Sequence, residues 1–342
     1  MNLIQHGIVL LNSGKLVIFP TETVYGLGAD ALNDDACKQI YETKNRPSNN
    51  PLIVHCHNFE SIETIAQTNL IVKNLADKFW PGPLSMVLPI LPNSLIAKTV
   101  TAGLNSICVR IPKHKIALEL IKSTRSKMIA APSANISNYV SPTKIEHVKS
   151  EFKNIFSIDG DQCVYGLEST ILDCRGLFEA KKTITILRHG HITSNQIKKF
   201  LDEFDETFEI FDLNSKFRDV SIDNQISEST LLAPGMSKKH YSTRTKLVIN
   251  YHKLKDDVST PNQRVHIDFG EPEKYNSLPQ IRLNLSLNRN LREASFRLYE
   301  ILRLADDLAT QNNFKLITIS PIPNEELGVA INEKLIRAQH FE

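Results

Sequence analysis

The sequence predicts an α/β or α+β protein of two units, a sheet with helices packed against it followed by a smaller unit of βα type. Three observations carry this reading. The chain has 342 residues, more than one core of ~150 residues usually serves. Its first two hundred residues alternate strand-like apolar runs with helical periodicity, which is how helices packed on a sheet read in sequence. The alternation lapses between Leu201 and Thr243 and then resumes. The expected division is therefore a larger unit over 1–204, a connector over 205–243 and a smaller unit over 244–342.

Each element has its own signal. Lys15–Phe19 is a short β-branched and aromatic run, and Asp34–Lys44 carries acids at its start, as helix N-termini prefer. Leu52–Cys56 is a strand bounded by Pro51. Further strands are expected at Leu84–Ile90, Ser106–Pro112, Met128–Ala134, Phe156–Asp159, Ser169–Cys174 and Thr183–Leu187. Helices are expected near 60–79, 114–123, 142–152 and 193–202. Ser141 before Pro142 reads as an N-cap with proline at the first helical position. Residues 202–230 are polar and acid-rich without sustained periodicity, as a long connector is. In the smaller unit, Lys246–Tyr251, Arg264–Gly270 and Lys315–Ile322 read as strands and Gly328–Gln339 as a last helix. Between them, Ala294, Leu298, Ile301, Leu302 and Ala305 give one apolar face to a helix over Leu291–Thr310.

Composition narrows the function classes. A hydrophobic content of 41% supports packed cores, and a net charge of +2 argues against a dominantly electrostatic nucleic-acid binder. The five cysteines form no CxxC pair and read as reduced thiols. No basic leader precedes a long apolar run, and no stretch of eighteen apolar residues occurs, so neither a signal peptide nor a membrane span is expected. The expected location is the cytoplasm.

Several stretches carry chemistry. Ile18–Ala31 (IFPTETVYGLGADA) leaves a strand and at once places two threonines, a glutamate, a tyrosine and two glycines. That is either a tight turn or a backbone held open for a small molecule. Lys44–His55 sets Lys44 and Arg46 at a helix end before two prolines, with Asn50 at the turn and His55 on the next strand. Those cations suit the helix dipole as well as an anion. Arg110 emerges between Val109 and Ile111, and a buried arginine there calls for a carboxylate partner. Ala131–Ile145 offers Ser133, Asn135, Ser137 and Ser141 after a strand, and Ser169, Thr170 and Arg188 also stand at strand ends.

Together these describe a pocket of cations, hydroxyls and exposed backbone, with no nucleophile elbow, metal-ligand cluster or phosphate-binding GxxxxGK[ST] loop. Such a site favours holding a polyanion during phosphoryl or nucleotidyl transfer. His189, His191 and His240 invite a metal reading, but no carboxylate cluster accompanies them, so no metal ligand is assigned.

The set FPTETVYGLGADA, KNRPSNNPLIVH, FWPGPLSMVLP, VRIP, PSANISNYVSPT, STILD and ILRHGHIT closely resembles the YrdC-like family, the L-threonylcarbamoyladenylate synthases. LLAPGMSKKHYST and ELGVAINEKLIRA resemble the linker and the C-terminal end of that family's longer, two-domain form. The resemblance implies a twisted mixed sheet flanked by helices around a concave, positively charged surface, and a smaller α/β, Rossmann-like C-terminal domain. It also implies a reaction in which L-threonine, bicarbonate and ATP give threonylcarbamoyl-AMP and pyrophosphate, with Mg²⁺ accompanying ATP and no tightly bound organic cofactor. A tRNA threonylcarbamoyl transferase complex would act downstream, and direct binding of tRNA is left open.

Carried over residue by residue, the family assigns Lys44 and Arg46 to catalysis beside ATP. It assigns Thr23, His55, Arg110, Ala131 and Ser169 to L-threonine, with Tyr25 nearby. Arg46, Asn50, Ser106, Ser133, Ser141 and Arg188 fall to ATP. From the linker, a residue between Ala233 and Tyr241 should reach the nucleotide, with His240 and Tyr241 as candidates. One departure is His189, where relatives often carry proline after the arginine. The competing reading is a non-catalytic tRNA- or double-stranded RNA-binding protein using Lys122–Lys127 and the lysines near His240 as phosphate contacts, although clustered stacking aromatics are lacking.

Overall fold

The computed structural model describes residues 2–213, 231–236, 240–249, 263–272 and 280–339. The acid-rich stretch at 214–230 and the lysines at 238 and 239 lie outside the described residues. Nine strands form the first sheet in the order β1-β2-β6-β3-β5-β4-β7-β8-β9. They are β1 (Val17–Phe19), β2 (Gly26–Asp30), β3 (Ile53–Cys56), β4 (Leu84–Pro89), β5 (Ser106–Arg110), β6 (Met128–Ala130), β7 (Thr170–Asp173), β8 (Thr183–Arg188) and β9 (Glu209–Asp212). The sheet is mixed: β3/β5, β4/β7 and β8/β9 run parallel and the other neighbours antiparallel.

Among the described residues eight helices accompany it: α1 (Leu3–Asn12), α2 (Asp34–Lys44), α3 (Phe59–Glu63), α4 (Leu70–Phe79), α5 (Lys98–Thr101), α6 (Lys115–Ser123), α7 (Ile145–Glu151) and α8 (Ser194–Leu201). Their ends follow local chemistry. The side chain of Asn33 caps α2 by accepting from the Ala36 N–H, and Asn45 ends it in the left-handed region at φ 51°. The helix expected over 60–79 divides in two, because Asn69 caps a new start by accepting from the Val72 N–H.

Three further expectations change. Phe156–Asp159 makes only an isolated bridge from Ser157 to Ile18. Ser141 is no N-cap: α7 begins at Ile145 after Lys144, and the Ser141 hydroxyl donates to Glu168 instead, a stronger charge-assisted bond. The first sheet also runs on past residue 204 to take β9, a four-residue strand hidden among acids, as its edge.

The second unit is a parallel sheet in the order β10-β13-β11-β12, from Lys246–Val248, Leu316–Ile319, Val265–Asp268 and Ile281–Asn284 respectively. Helices α9 (Leu291–Gln311) and α10 (Leu327–Ala338) pack with it. The apolar face expected of α9 is buried, with Ala294, Leu298, Leu302 and Ala305 fully enclosed. That core does not stop at the unit's edge: Val24, Val140, Leu167 and Tyr241 belong to the same cluster as Leu298 and Tyr299. The two units thus share a hydrophobic seam beside the ends of the first sheet's strands. All five cysteines are free and buried, and among the described residues no helix is long and apolar enough to cross a membrane.

Candidate active site

Strand register brings the first pair of candidates together. In the parallel β3/β5 ladder His55 stands directly opposite Arg110, so both side chains leave the same face of the sheet. Next to them the Thr21–Tyr25 turn is bonded to itself: the Thr21 hydroxyl donates to the Val24 carbonyl at 2.6 Å and meets the Thr23 hydroxyl at 2.9 Å. The hydroxyls of this stretch therefore do two jobs, Thr21 closing the turn and Thr23 facing Arg110. Arg110 Nη1 donates to Thr23 Oγ1 at 3.0 Å, and its Nε donates to the Gly82 carbonyl at 3.2 Å. Its carboxylate partner is Glu22, at 2.7 Å, with both side chains almost wholly buried. Burial, reinforced by the Arg110 charge, pushes His55 down to about 3, so its imidazole is neutral at physiological pH.

A second group of cations faces the same hollow. Arg46 follows the left-handed Asn45 that ends α2. It is held by the Asn50 carbonyl (3.0 Å), the Asn50 side-chain oxygen (2.6 Å) and the Pro51 carbonyl (2.8 Å). Arg188, at the end of β8, donates to the Ser169 carbonyl from Nε (3.0 Å) and Nη2 (2.9 Å), to the Ser169 hydroxyl (3.0 Å) and to the Pro234 carbonyl (3.1 Å). All these acceptors are neutral, and among the described residues no carboxylate pairs with either guanidinium. Burial lowers Arg46 only to about 10, and it stays charged.

Thr23, Arg46, His55, Arg110, Ala131, Ser133, Ser169, Arg188, His240 and Tyr241 line one cavity of about 40 Å³. Four assigned residues do not line it. The Lys44 ammonium is fully buried and donates to the Ser133 carbonyl (2.7 Å) and to that of Asn135, behind the cavity wall. Asn50 supports Arg46, Ser141 binds Glu168, and Ser106 sits at the far end of β5 opposite Pro89. Tyr25 points away, its hydroxyl donating to the Asp161 carbonyl at 2.9 Å.

The field in the cavity is positive. Burial drives His240 well below its ordinary value, and Arg46, Lys44, Arg188 and Arg337 push it further down. His189 bonds Asp212 at 3.0 Å and His191 stacks on the Tyr165 ring at 3.9 Å, so each has its own structural partner.

The sequence reading missed three participants. Glu22 lies inside the first motif, and the glutamate of a Thr-Glu-Thr turn beside a strand arginine was the available signal. Glu168 also lines the cavity, its oxygens taken by the hydroxyls of Ser141 and Tyr299, each at 2.5 Å. Pro234 supplies a carbonyl to Arg188, and nothing in the sequence singles out that role.

Comparison with known proteins follows the same division. A family model described as telomere recombination, covering the Sua5, YciO and YrdC proteins, matches residues 9–190. A second, described as the C-terminal domain of threonylcarbamoyl-AMP synthase, matches residues 192–339. A threonylcarbamoyl-AMP synthase of Bacillus subtilis is 34% identical over 98% of this chain and 92% of its own length. One from Pyrococcus abyssi is 39% identical over 70% of this chain, a match spanning 65% of that protein. The crystal structure of P. abyssi Sua5 complexed with L-threonine superposes with a TM-score of 0.81 at 32% identity, covering 99% of this chain and 96% of the other. The chain belongs to the Sua5/YciO/YrdC family, in the two-domain form that carries the threonylcarbamoyl-AMP synthase C-terminal domain.

Proposed function

We propose that this protein is an L-threonylcarbamoyladenylate synthase, a nucleotidyltransferase that condenses L-threonine, bicarbonate and ATP to threonylcarbamoyl-AMP and pyrophosphate. One observation carries the reading: a carboxylate-binding arginine beside a neutral histidine, Arg110 and His55, shares a cavity with two arginines, Arg46 and Arg188, that pair with no acid among the described residues. The first pair suits an amino acid, and the second suits a polyphosphate. Two relatives that cover most of the chain, or that it largely spans, are named for this product or were solved with L-threonine.

The threonine amine and bicarbonate first give a carbamate with loss of water. A carbamate oxygen then attacks the α-phosphorus of ATP, and pyrophosphate leaves. The protein needs no nucleophile of its own for this. Arg110 and Thr23 would hold the amino acid, Ala131 and Ser169 would border it, and Arg46, Ser133 and Arg188 would spread the developing phosphate charge. Among the described residues no group of three or more His, Cys, Asp or Glu is arranged to hold a metal ion, and the cavity's one carboxylate, Glu168, is already engaged. Mg²⁺ would enter as part of the substrate, on the phosphates of ATP, where it would offset their charge. The product would pass to a tRNA-modifying transferase in the cytoplasm.

Pyrophosphate release from ATP and bicarbonate, compared with threonine, serine and valine, tests the reading. Threonine-dependent release supports it. RNA binding with a steep salt dependence and no ATP turnover would replace it with the RNA-binding alternative.

A further inference from the structure

The last helix contributes no atom to the cavity wall, yet its charged side chains are buried against the segments that form it. Glu333 Oε2 accepts the His189 N–H at 2.9 Å, and the Lys334 ammonium donates to the His189 carbonyl. Two adjacent residues of α10 thus hold both backbone groups of one residue, the one after Arg188. One turn on, Arg337 donates to the Met236 carbonyl at 3.1 Å, and its own carbonyl accepts the His240 N–H at 3.0 Å. Glu333, Lys334 and Arg337 are 3%, 0% and 4% exposed. An interface that only packed two units together would bury apolar groups, because taking three ions out of water costs several kcal/mol each unless well-placed partners compensate. Here Glu333 pairs with Arg337 at 3.3 Å and with Lys334 at 3.9 Å, and the remaining partners are the backbone of the two segments that close the cavity.

We propose that α10 is a positioning element of the active site, with Glu333 and Lys334 fixing Arg188 through the His189 peptide and Arg337 fixing the connector that faces it. This rests on the reading that Arg188 and the connector meet the nucleotide. The opposite side of the Arg188–Gly190 turn leaves no slack. A Cβ on Gly190 would lie 2.4 Å from the Glu168 carbonyl and from the Thr170 nitrogen. The turn is thus held between α10 and the start of β7, and the His189 ring is tied to Asp212 besides. The arrangement also requires a residue other than proline at His189. A proline has no N–H to give to Glu333, whereas this chain uses that N–H as an anchor. The Lys334 ammonium also lies 5.8 Å from the centre of the Tyr241 ring, which itself lines the cavity.

The test is steady-state kinetics of the full chain with ATP and threonine. Lys334→Met keeps the length of the side chain and removes the donor. It is expected to raise KM for ATP about tenfold, the scale of one charge-assisted hydrogen bond, while KM for threonine stays put. Glu333→Gln retains an acceptor for the His189 N–H and is expected to raise it less. Asn195→Ala removes a surface contact between the units, Asn195 Nδ2 to Glu326 Oε1 at 2.7 Å, and should change neither constant. Two results would overturn the proposal: wild-type KM values for both substrates in folded Lys334→Met, or equal effects on both. Should Lys334→Met fail to fold, Arg337→Gln takes its place with the same ATP-selective expectation and the same overturning result. A wild-type chain that releases no pyrophosphate defeats the functional reading itself, whereas an active wild type with unaffected variants defeats this inference alone.

Discussion

Replacing Arg110 by alanine should destabilise the fold before it says anything about catalysis. Arg110 and Glu22 face each other at 2.7 Å with side-chain exposures of 4% and 3%. Truncating the arginine leaves the Glu22 carboxylate in a dry site, and breaking a buried pair on one side typically costs ~3–5 kcal/mol. A domain has only ~5–15 kcal/mol of stability in total. With a urea dependence of ~2–3 kcal/mol per molar, the unfolding midpoint should fall by roughly 1–2.5 M. The chain's single tryptophan, Trp80, reports on this site: it is buried, donates from Nε1 to the Leu84 carbonyl at 2.7 Å and lies two residues from Gly82, whose carbonyl Arg110 holds. The double change Glu22→Gln/Arg110→Met removes both charges and should recover at least half of the lost midpoint, though not activity. A midpoint for Arg110→Ala within ~0.3 M of wild type would refute the reasoning, since it would mean that the carboxylate is not stranded.

Three further outcomes are expected. Acid should unfold the chain in part through His55: its folded value of about 3 lies below the 6.5 of the unfolded chain, so the unfolded state takes the proton first. Stability present above pH 6.5 is then lost as the pH falls towards 3, about 2 kcal/mol of it by pH 5 from this residue; His55→Gln should flatten the dependence of the urea midpoint between pH 7 and 5, and an unchanged slope counts against the assignment. Gly235→Ala should raise KM for ATP and cost ~1 kcal/mol, because Gly235 has φ +83° and a Cβ there would lie 2.9 Å from the Tyr241 hydroxyl and 3.0 Å from Arg188 Cδ; wild-type kinetics would separate this turn from the Arg188 site. Threonine should be preferred over serine by only ~10–200-fold in kcat/KM, the worth of one methyl group, and over valine by more, because a buried hydroxyl partner would go unsatisfied; equal use of valine would exclude such a partner.

What could be read from the sequence depended on how local the cause was. Helix α2 and strands β3, β4 and β5 emerged near their true limits because periodicity, caps and prolines act within a few residues. That His55 and Arg110 share a face was invisible, since it follows from a register between strands more than fifty residues apart. Ser141 shows a local rule losing: serine before proline is a sound capping signal, but a carboxylate twenty-seven positions away competes for the hydroxyl and wins. Lys44 stands in the right motif, yet two carbonyls of the Ser133–Asn135 segment capture its ammonium. Strand β9 was lost among acids because four residues carry too little pattern, and it forms only because β8 offers it an edge.

The acceptors around each cation point to how the site would take its substrates. In this structure Arg188 is bonded to Pro234 of the connector, and His240 and Tyr241 of the same segment also line the cavity. About 40 Å³ is far below the ~300 Å³ or more that a small-molecule site needs, so ATP enters only if these residues give way. The exchange is favourable because of what it replaces. A guanidinium that swaps neutral carbonyls for phosphate oxygens pairs its charge with an opposite one and can do so in a bidentate geometry. Arg46 and Arg188 both stand in that position. Arg110 does not, because its partner is already a carboxylate. An amino acid can reach it only by sharing the guanidinium with Glu22, through the one edge that faces Thr23. Nucleotide affinity should therefore be linked to movement of the connector, while amino-acid affinity is set by a rigid ion pair to which no described residue of the connector is hydrogen-bonded.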